Sequence, residues 1–242
     1  MTRKAKSNTK PPRRVGPIRA TRRFLRRWVW RVALAFIAVI CLLVSLFAVV
    51  NPPTTLYMAS ESGRLGGVAQ DWVDMEDIAP VMARSVVAAE DANFCLHWGF
   101  DMSAIRQVIE AGESRGASTL SQQVVKNVYL WPARSWVRKA LEALITPAVE
   151  LVWTKRRIVE GYLNVAEVDE GVFGVDAAAR HYFGKSPDQL SAIEAARLAA
   201  VLPNPKERSA SRPGQFVQRR AAGIVDGAET IRRDGRADCF ED

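Results

Sequence analysis

Two carboxylates stand at the end of an apolar run in the stretch VVAAEDANFCLHWGFD, residues 86–101. Ionised side chains such as Glu90 and Asp91 seldom enter a protein interior without a partner or a function. A carboxylate fixed beside a core can serve as a general base for an attacking hydroxyl group. The simpler interpretation is a helix-end carboxylate that the following turn caps. Phe94 and His97 follow closely and would belong to the same site.

A second polar stretch, GASTLSQQVVKN at residues 116–127, has the features of a helix start that binds an anion. Thr119 and Gln122 have the spacing of a capping box. In a helix Thr119, Gln123 and Lys126 share one face, where their donors lie near free backbone N–H groups and suit a phosphate. Capping alone explains Thr119 but not the other polar residues, which are Gln122, Gln123, Lys126 and Asn127.

A third cluster, RKALE at residues 138–142, combines two cations with one acid. Arg138 and Glu142 are i, i+4 partners, and an exposed pair of this kind contributes only about 0.3–0.5 kcal/mol. The segment that follows, ALITPAVELVW, is apolar nearly all round and must be buried or face a membrane. The cluster therefore lies beside a core, although on its residues alone it reads as a surface salt bridge.

In this order the motifs resemble the signatures of the peptidoglycan glycosyltransferases, glycosyltransferase family 51, which polymerise lipid II. EDANFCLHWGFD resembles the first signature and GASTLSQQVVKN the second. RKALE, KRRIVEGYLN at 155–164 and EAARLAAVLPNP at 194–205 resemble the third, fourth and fifth. The segment around 112–115 is shorter than is usual for the family. No room is left for a penicillin-binding transpeptidase domain, so we expect a monofunctional biosynthetic transglycosylase.

The resemblance implies an inverting glycosyl transfer that joins lipid II units into a β-1,4-linked glycan and releases undecaprenyl pyrophosphate. Inversion in one step needs a base that takes the proton of the incoming 4-hydroxyl group, with no covalent intermediate. We assign that role to Glu90, and the resemblance makes Glu142 the second acid. Asp91, Phe94 and His97 would shape the acceptor side or hold the turn.

Negative charge grows on the pyrophosphate as it leaves, and fixed cations stabilise that charge. Lys126, Arg138 and Lys139 are the candidates, and Glu142 would orient them or the donor. A divalent cation, Mg²⁺ or Mn²⁺, could share this work, which the sequence leaves open. Neither histidine has neighbours at a metal-ligand spacing. The remaining residues expected to bind substrate are Thr119, Gln122, Gln123 and Asn127.

Helices are expected to position these residues. Apolar periodicity and capping signals predict helices at 76–91, 101–111, 118–129, 134–153, 155–165, 174–182, 188–201 and 214–233. Strand signals are almost absent, so we expect a mainly α fold. The resemblance implies a lysozyme-like glycosyltransferase domain.

Charge and hydropathy predict what precedes that domain. The net charge is +8, yet residues 1–31 hold twelve basic residues and no acid, so the rest is slightly acidic. A nucleic-acid-binding domain would carry its positive charge on the folded part, so no nucleic-acid partner is expected. Residues 32–50 are apolar on every side and, at about 1.5 Å per residue, nearly span a bilayer. A cleaved signal peptide is the alternative, but its apolar part is usually shorter.

The predicted layout is a disordered basic tail at 1–27, a transmembrane anchor at 28–50, a connector at 51–70, a glycosyltransferase domain at 71–233 and a tail at 234–242. The one apolar run predicts a single-pass protein, and the arginine bias predicts a cytoplasmic N-terminus with the catalytic domain outside. The resemblance implies that the membrane is the inner membrane and that the catalytic domain is periplasmic. Expected partners are lipid II, the growing glycan strand and the bilayer, with other cell-wall synthases or division proteins left open. A Cys95–Cys239 disulfide is permitted there, but spacing does not establish it.

Two other functions stay open at this point. A lysozyme-like lytic glycosidase also needs a catalytic glutamate, but it has no need of cations for a pyrophosphate, so Lys126, Arg138 and Lys139 favour transfer. A non-enzymatic scaffold of the cell-wall synthesis complex would leave five polar motifs unexplained.

Overall fold

A computed structural model describes residues 17–112, 118–133 and 135–241 of the 242-residue chain. The chain divides into two compact units, Met1–Leu43 and Val44–Asp242. The helices are α1 (Pro17–Phe47), α2 (Leu56–Leu65), α3 (Pro80–Glu90), α4 (Met102–Glu110), α5 (Leu120–Tyr129), α6 (Trp136–Val152), α7 (Lys155–Val165), α8 (Gly174–Phe183), α9 (Ala192–Val201), α10 (Gln215–Arg233) and α11 (Asp238–Glu241).

The remaining elements are short. Strands β1 (Glu167–Asp169) and β2 (Val172–Phe173) form an antiparallel hairpin in which Glu167 pairs with Phe173. The 3₁₀ turns are Met75–Asp77, Phe94–Leu96, Pro187–Gln189 and Pro205–Glu207. The prediction of a mainly α chain is confirmed.

Helix α1 is, within the described residues, the one helix long and apolar enough to cross a membrane. An 18-residue window within its Thr21–Phe47 part has a mean hydropathy of 2.5, which is consistent with a membrane anchor. It begins well before residue 28, because Pro17 suits the first helical turn and the following Arg, Ala and Leu residues favour helix. The disorder predicted for 17–27 is therefore wrong, and residues 1–16 lie outside the described part of the chain.

The unit from Val44 onward has two helical groups. Helices α3, α9 and α10 pack on one another, while α5 packs on both α6 and α7. Fully buried aliphatic side chains fill these contacts, among them Val87, Val124, Ile158 and Leu198. This packing brings the end of α3 and the start of α5 close to α6 and α10.

The predicted helices between 76 and 233 are present, with two shifts. The segment 76–91 is a 3₁₀ turn followed by α3, since Pro80 suits the first turn of a new helix. The segment 188–201 likewise divides at Ser191, whose side chain takes part in the capping box of α9. Helix α2 lies inside the stretch expected to be a connector, and it begins at Leu56, directly after Thr55, whose hydroxyl group caps it.

Candidate active site

A cleft of about 540 Å³ opens where α3, α5, α6 and α10 meet. It brings together most of the polar residues that the sequence singled out, although they come from three separate motifs. Those lining it are Glu90, Gln122, Gln123, Lys126, Arg138, Lys139 and Glu142.

Glu90 is the last residue of α3, and its side chain is only 15% exposed. Its Oε2 accepts a hydrogen bond from Gln123 Nε2 at 3.0 Å. Its Oε1 lies 3.8 Å from Arg220 Nη2, which also donates to Ala89 O at 3.1 Å. One carboxylate oxygen is thus fixed by an amide, and the other faces the cleft beside a guanidinium group.

A further hydrogen bond fixes the side-chain amide of Gln123. The hydroxyl group of Tyr162 donates to Gln123 Oε1 at 3.3 Å. Burial, with a smaller contribution from the charge of Glu90, raises the pKa of Tyr162 well above its ordinary value, so the hydroxyl group keeps its proton. With Oε1 occupied as an acceptor, the Gln123 amide turns its Nε2 toward Glu90 and fixes the orientation of that carboxylate.

The opposite wall carries a carboxylate between two cations. Glu142 is 3% exposed, and its Oε2 accepts from Arg138 Nη1 at 2.8 Å. Its Oε1 accepts from Lys139 Nζ, which also donates to Ser118 Oγ at 3.1 Å. Arg138 Nε donates in addition to a backbone carbonyl. The Arg138–Glu142 ion pair is therefore far more buried than a surface salt bridge. Glu142 fixes both Arg138 and Lys139 at the cleft wall.

Lys126 projects from α5 between these two walls. Burial is the largest influence on its ammonium group and lowers the pKa of Lys126, with Glu142 and Glu90 opposing that shift. The residue lines both the main cleft and an adjoining cavity of about 480 Å³, which Asn127 also lines. A desolvated ammonium group in this place is suited to a phosphate that enters from either cavity.

Asp91, Phe94 and His97 follow Glu90 in the first motif, but they do not line the cleft with it. Asp91 Oδ1 lies 2.8 Å from His97 Nε2, and Asp91 Oδ2 accepts from the backbone N–H of Leu120 at 2.9 Å. These contacts tie the turn after Glu90 to the start of α5. Phe94 has no exposed surface, so the expectation that it binds substrate is corrected: it supports the turn from within the core. Its ring packs near that of His97, which also lies outside the lining of the cleft.

Thr119 and Gln122 form the capping box that their spacing predicted. Thr119 Oγ1 also donates to Gly99 O at 2.7 Å, so the polar atoms of Thr119 are engaged within the protein. Gln122 is 5% exposed but still lines the cleft. Gly99 has φ +82°, and a Cβ there would lie 2.8 Å from Thr146 Cγ2, so this close approach requires glycine.

The fourth motif mainly supports the turn and the core. Lys155 Nζ donates to His97 O and to Glu150 Oε1, both at 2.9 Å. Asn164 is fully buried and exchanges two hydrogen bonds of 2.8 Å with the backbone of Val73. These residues lie behind the site and stabilise it without lining the cleft.

Sequence reasoning did not identify Arg220, whose contact with Ala89 joins residues 131 positions apart. Its Nε is buried and has no hydrogen-bond partner among the described residues. Nothing in the stretch QFVQRRAAG distinguishes it from its neighbour Arg219, because only the packing of α10 on α3 brings it to the cleft. Ser118, which precedes the capping residue, was also missed.

The described residues do not fit a protein-held Mg²⁺ or Mn²⁺ site. Within 17–112, 118–133 and 135–241, no three or more His, Cys, Asp or Glu side chains come together in a metal-binding group. In the cleft, both oxygens of Glu142 already accept from cations and Glu90 accepts from Gln123. Such ions prefer several oxygen ligands, so one bound here would need most of its ligands from substrate and water.

Comparison with known proteins agrees with this geometry. A family model described as Transglycosylase matches residues 59–228. The biosynthetic peptidoglycan transglycosylase of Jannaschia sp. (strain CCS1) is 57% identical over 236 residues, which cover 98% of this chain and 99% of that protein. The protein of the same name from Salmonella arizonae is 48% identical over 225 residues, covering 88% and 91%. That from Pectobacterium atrosepticum is 59% identical over 160 residues, covering 64% and 65%.

Proposed function

The chain belongs to the transglycosylase family, and from this premise we propose that it is a peptidoglycan glycosyltransferase. It polymerises lipid II into β-1,4-linked glycan strands and releases undecaprenyl pyrophosphate. The observation that carries the proposal is a single cleft with the glutamate of the first motif on one wall and, on the other, two cations paired with the buried Glu142. The lytic and scaffold alternatives are not favoured by the comparisons.

Glu90 is the proposed general base. The 4-hydroxyl group of the acceptor sugar attacks C1 of the donor sugar, its proton passes to Glu90, and the bond from C1 to the pyrophosphate oxygen breaks. Gln123 supports this role because it holds Oε2 by one hydrogen bond and leaves Oε1 available. Because the carboxylate is already oriented, it does not have to rearrange before it accepts the proton of the hydroxyl group.

Lys126, Arg138 and Lys139 are proposed to stabilise the leaving pyrophosphate. Its charge rises as the bond breaks, so cations that are already in place lower the energy of the transition state more than that of the bound substrate. Glu142 supports this arrangement by holding Arg138 and Lys139 together before substrate binds. We assign Glu142 an orienting role and no proton transfer.

Of the remaining polar residues, two are proposed to contact the substrate, and three are proposed to hold the elements that carry the site. Gln122 and Asn127 line the two cavities and are suited to hydrogen-bond sugar or phosphate groups. Thr119, Asp91 and His97 act indirectly, because their polar atoms hold the start of α5 and the turn after Glu90.

The substrate and product lipids require a membrane, and α1 provides the expected anchor. We propose a single pass through the inner membrane, with the basic N-terminus in the cytoplasm and the catalytic unit in the periplasm. Trp136, Leu144 and Leu151 are 90%, 73% and 75% exposed along α6, which suits contact with the bilayer surface beside the cleft.

The test is polymerisation of purified lipid II by the full chain in detergent, with Glu90→Gln as the variant. We expect the variant to lose at least about 100-fold in rate, as is typical when a general base is removed. Glu229→Gln is the matched control, since it makes the same chemical change at an exposed acid on α10 that pairs with Arg232. A folded wild-type chain that yields no polymer, or a Glu90→Gln variant with the wild-type rate, would contradict the proposal.

A further inference from the structure

Residues 236–241, named the clasp here, fold back onto the turn that follows Glu90. Residues 238–241 form α11, and Phe240 within it has no exposed surface. Cys239 forms a disulfide with Cys95, across a sequence separation of 144 residues and with the two Cα atoms 5.8 Å apart. The clasp is therefore an integral part of the catalytic unit.

The clasp contacts the turn at neighbouring positions. Arg236 Nη1 donates to Ala92 O at 3.0 Å. The ring centroid of Phe240 lies 6.4 Å from that of Phe94. The disulfide attaches at Cys95, the residue that follows Phe94 in the turn. A hydrogen bond, an apolar contact and a covalent bond thus all act on the few residues immediately after the glutamate.

The other side of the clasp is fixed to two helices. Glu241 Oε1 pairs at 2.6 Å with Arg84 Nη1 of α3, the helix that ends in Glu90. Arg156 Nη1 of α7 donates to Phe240 O at 3.3 Å and to Glu241 O at 3.2 Å. The clasp therefore connects α3, α7 and the turn, and a displacement of the clasp is transmitted to all three.

The position of this turn determines the surroundings of Glu90. Asp91, the next residue, accepts from the N–H of Leu120 at the start of α5, the same helix that presents Gln123 to Glu90. If the turn shifts, the distance between Glu90 and Gln123 changes with it. The cations proposed to bind the pyrophosphate are carried instead by α5 and α6, whereas the bonds of the clasp described above go to the turn, α3 and α7.

We propose that the clasp is a positioning element for Glu90 and that the Cys95–Cys239 disulfide locks it in place. The inference rests on the proposed function, and it makes the turnover rate depend on the oxidation state of this cysteine pair. Neither cysteine lines the cleft, so the effect passes through the turn and not through contact with substrate. Both are partly exposed, which lets a soluble reductant reach the bond.

The test compares the oxidised full chain in detergent with the same protein after dithiothreitol, which converts the disulfide to two thiols and becomes a cyclic disulfide itself. We expect kcat for lipid II polymerisation to fall about tenfold, because a 1 Å misplacement can cost up to about 100-fold. KM for lipid II should change by less than about twofold, since ground-state binding is retained. Removal of the reductant and reoxidation should restore kcat.

Three variants control this experiment. The Cys95→Ser/Cys239→Ser double variant should reproduce the reduced kcat and be insensitive to dithiothreitol. Cys41→Ser removes the free cysteine and should behave as the wild type in both states. Arg236→Met removes the hydrogen bond to Ala92 O but keeps the disulfide, and it should lower kcat with KM unchanged. All rates are measured well below the unfolding midpoint seen by circular dichroism, so that lost folded protein is not counted as lost turnover.

Equal kcat for the oxidised, reduced and double-serine proteins would overturn the inference while an active wild type leaves the proposed function standing. A rise in KM at constant kcat would overturn it as well, because substrate binding and not the base would then depend on the clasp. An oxidised wild type that makes no polymer would overturn the proposed function and this inference together.

Discussion

Asp91 joins the turn after Glu90 to α5, and its replacement by alanine is expected to destabilise the catalytic unit strongly. The side chain is 3% exposed and has two partners, His97 Nε2 at 2.8 Å and the backbone N–H of Leu120 at 2.9 Å. Leu120 has no exposed surface and its N–H group donates to Asp91 Oδ2, so Asp91→Ala removes the acceptor of a buried donor. Its N–H group would remain buried without a partner.

The size of the effect follows from these contacts. A buried donor left without an acceptor costs about 1–3 kcal/mol, and Asp91→Ala leaves two such groups, since His97 also loses its partner. We therefore expect a loss of about 3 kcal/mol, which lowers the unfolding midpoint by about 6–12 °C in a unit of this size. Asp91→Asn keeps an oxygen for Leu120 and an amide for His97, so it should cost only about 1 kcal/mol.

Thermal unfolding of the full chain in detergent, followed by circular dichroism, measures this difference. Polymerisation measured on the folded variants should also show a lower kcat for Asp91→Ala than for Asp91→Asn, because the former releases the turn that carries Glu90. Equal unfolding midpoints for the two variants would refute the reasoning, since they would show that the Leu120 N–H group does not depend on this acceptor.

Two further predictions concern charge and space. Because burial lowers the pKa of Lys126 and its charged form stabilises the leaving pyrophosphate, kcat/KM for lipid II should fall with rising pH below the range in which an ordinary lysine titrates. Lys126→Arg should remove this pH dependence, since arginine stays charged; an unchanged profile would contradict it. Gly99→Ala should cost about 1–3 kcal/mol through overpacking against Thr146. Gly112→Ala is its control for thermal unfolding, because Gly112 also has a positive φ but open space around it, and equal losses would exclude the clash.

The helices around the cleft could be predicted because each carries local signals. The capping box of Thr119 and Gln122 fixes the start of α5, and the structure contains both of its hydrogen bonds. Helix α2 was missed although Thr55 and Gly66 mark its ends. Its short sequence, LYMASESGRL, has too little apolar periodicity to stand out, and only packing in the folded unit stabilises it.

The composition of the site was less predictable, because it depends on which distant segments meet. Arg220 reaches Glu90 through the packing of α10 on α3, and no local pattern records that contact. Phe94 could be identified as part of the motif, but the side of the turn that it faces is set by tertiary packing. The catalytic and binding roles of the cleft residues stay predictions until the variants are measured.

During synthesis Cys95 emerges 144 residues before Cys239. At about 5–20 residues per second, it waits as a free thiol for roughly 7–29 seconds while the intervening helices are made. The sequence contains one other cysteine, Cys41, and it lies within the apolar run of α1. The correct bond can therefore close only after α10 has been translated, so its formation reports that the whole segment between the two cysteines has been completed.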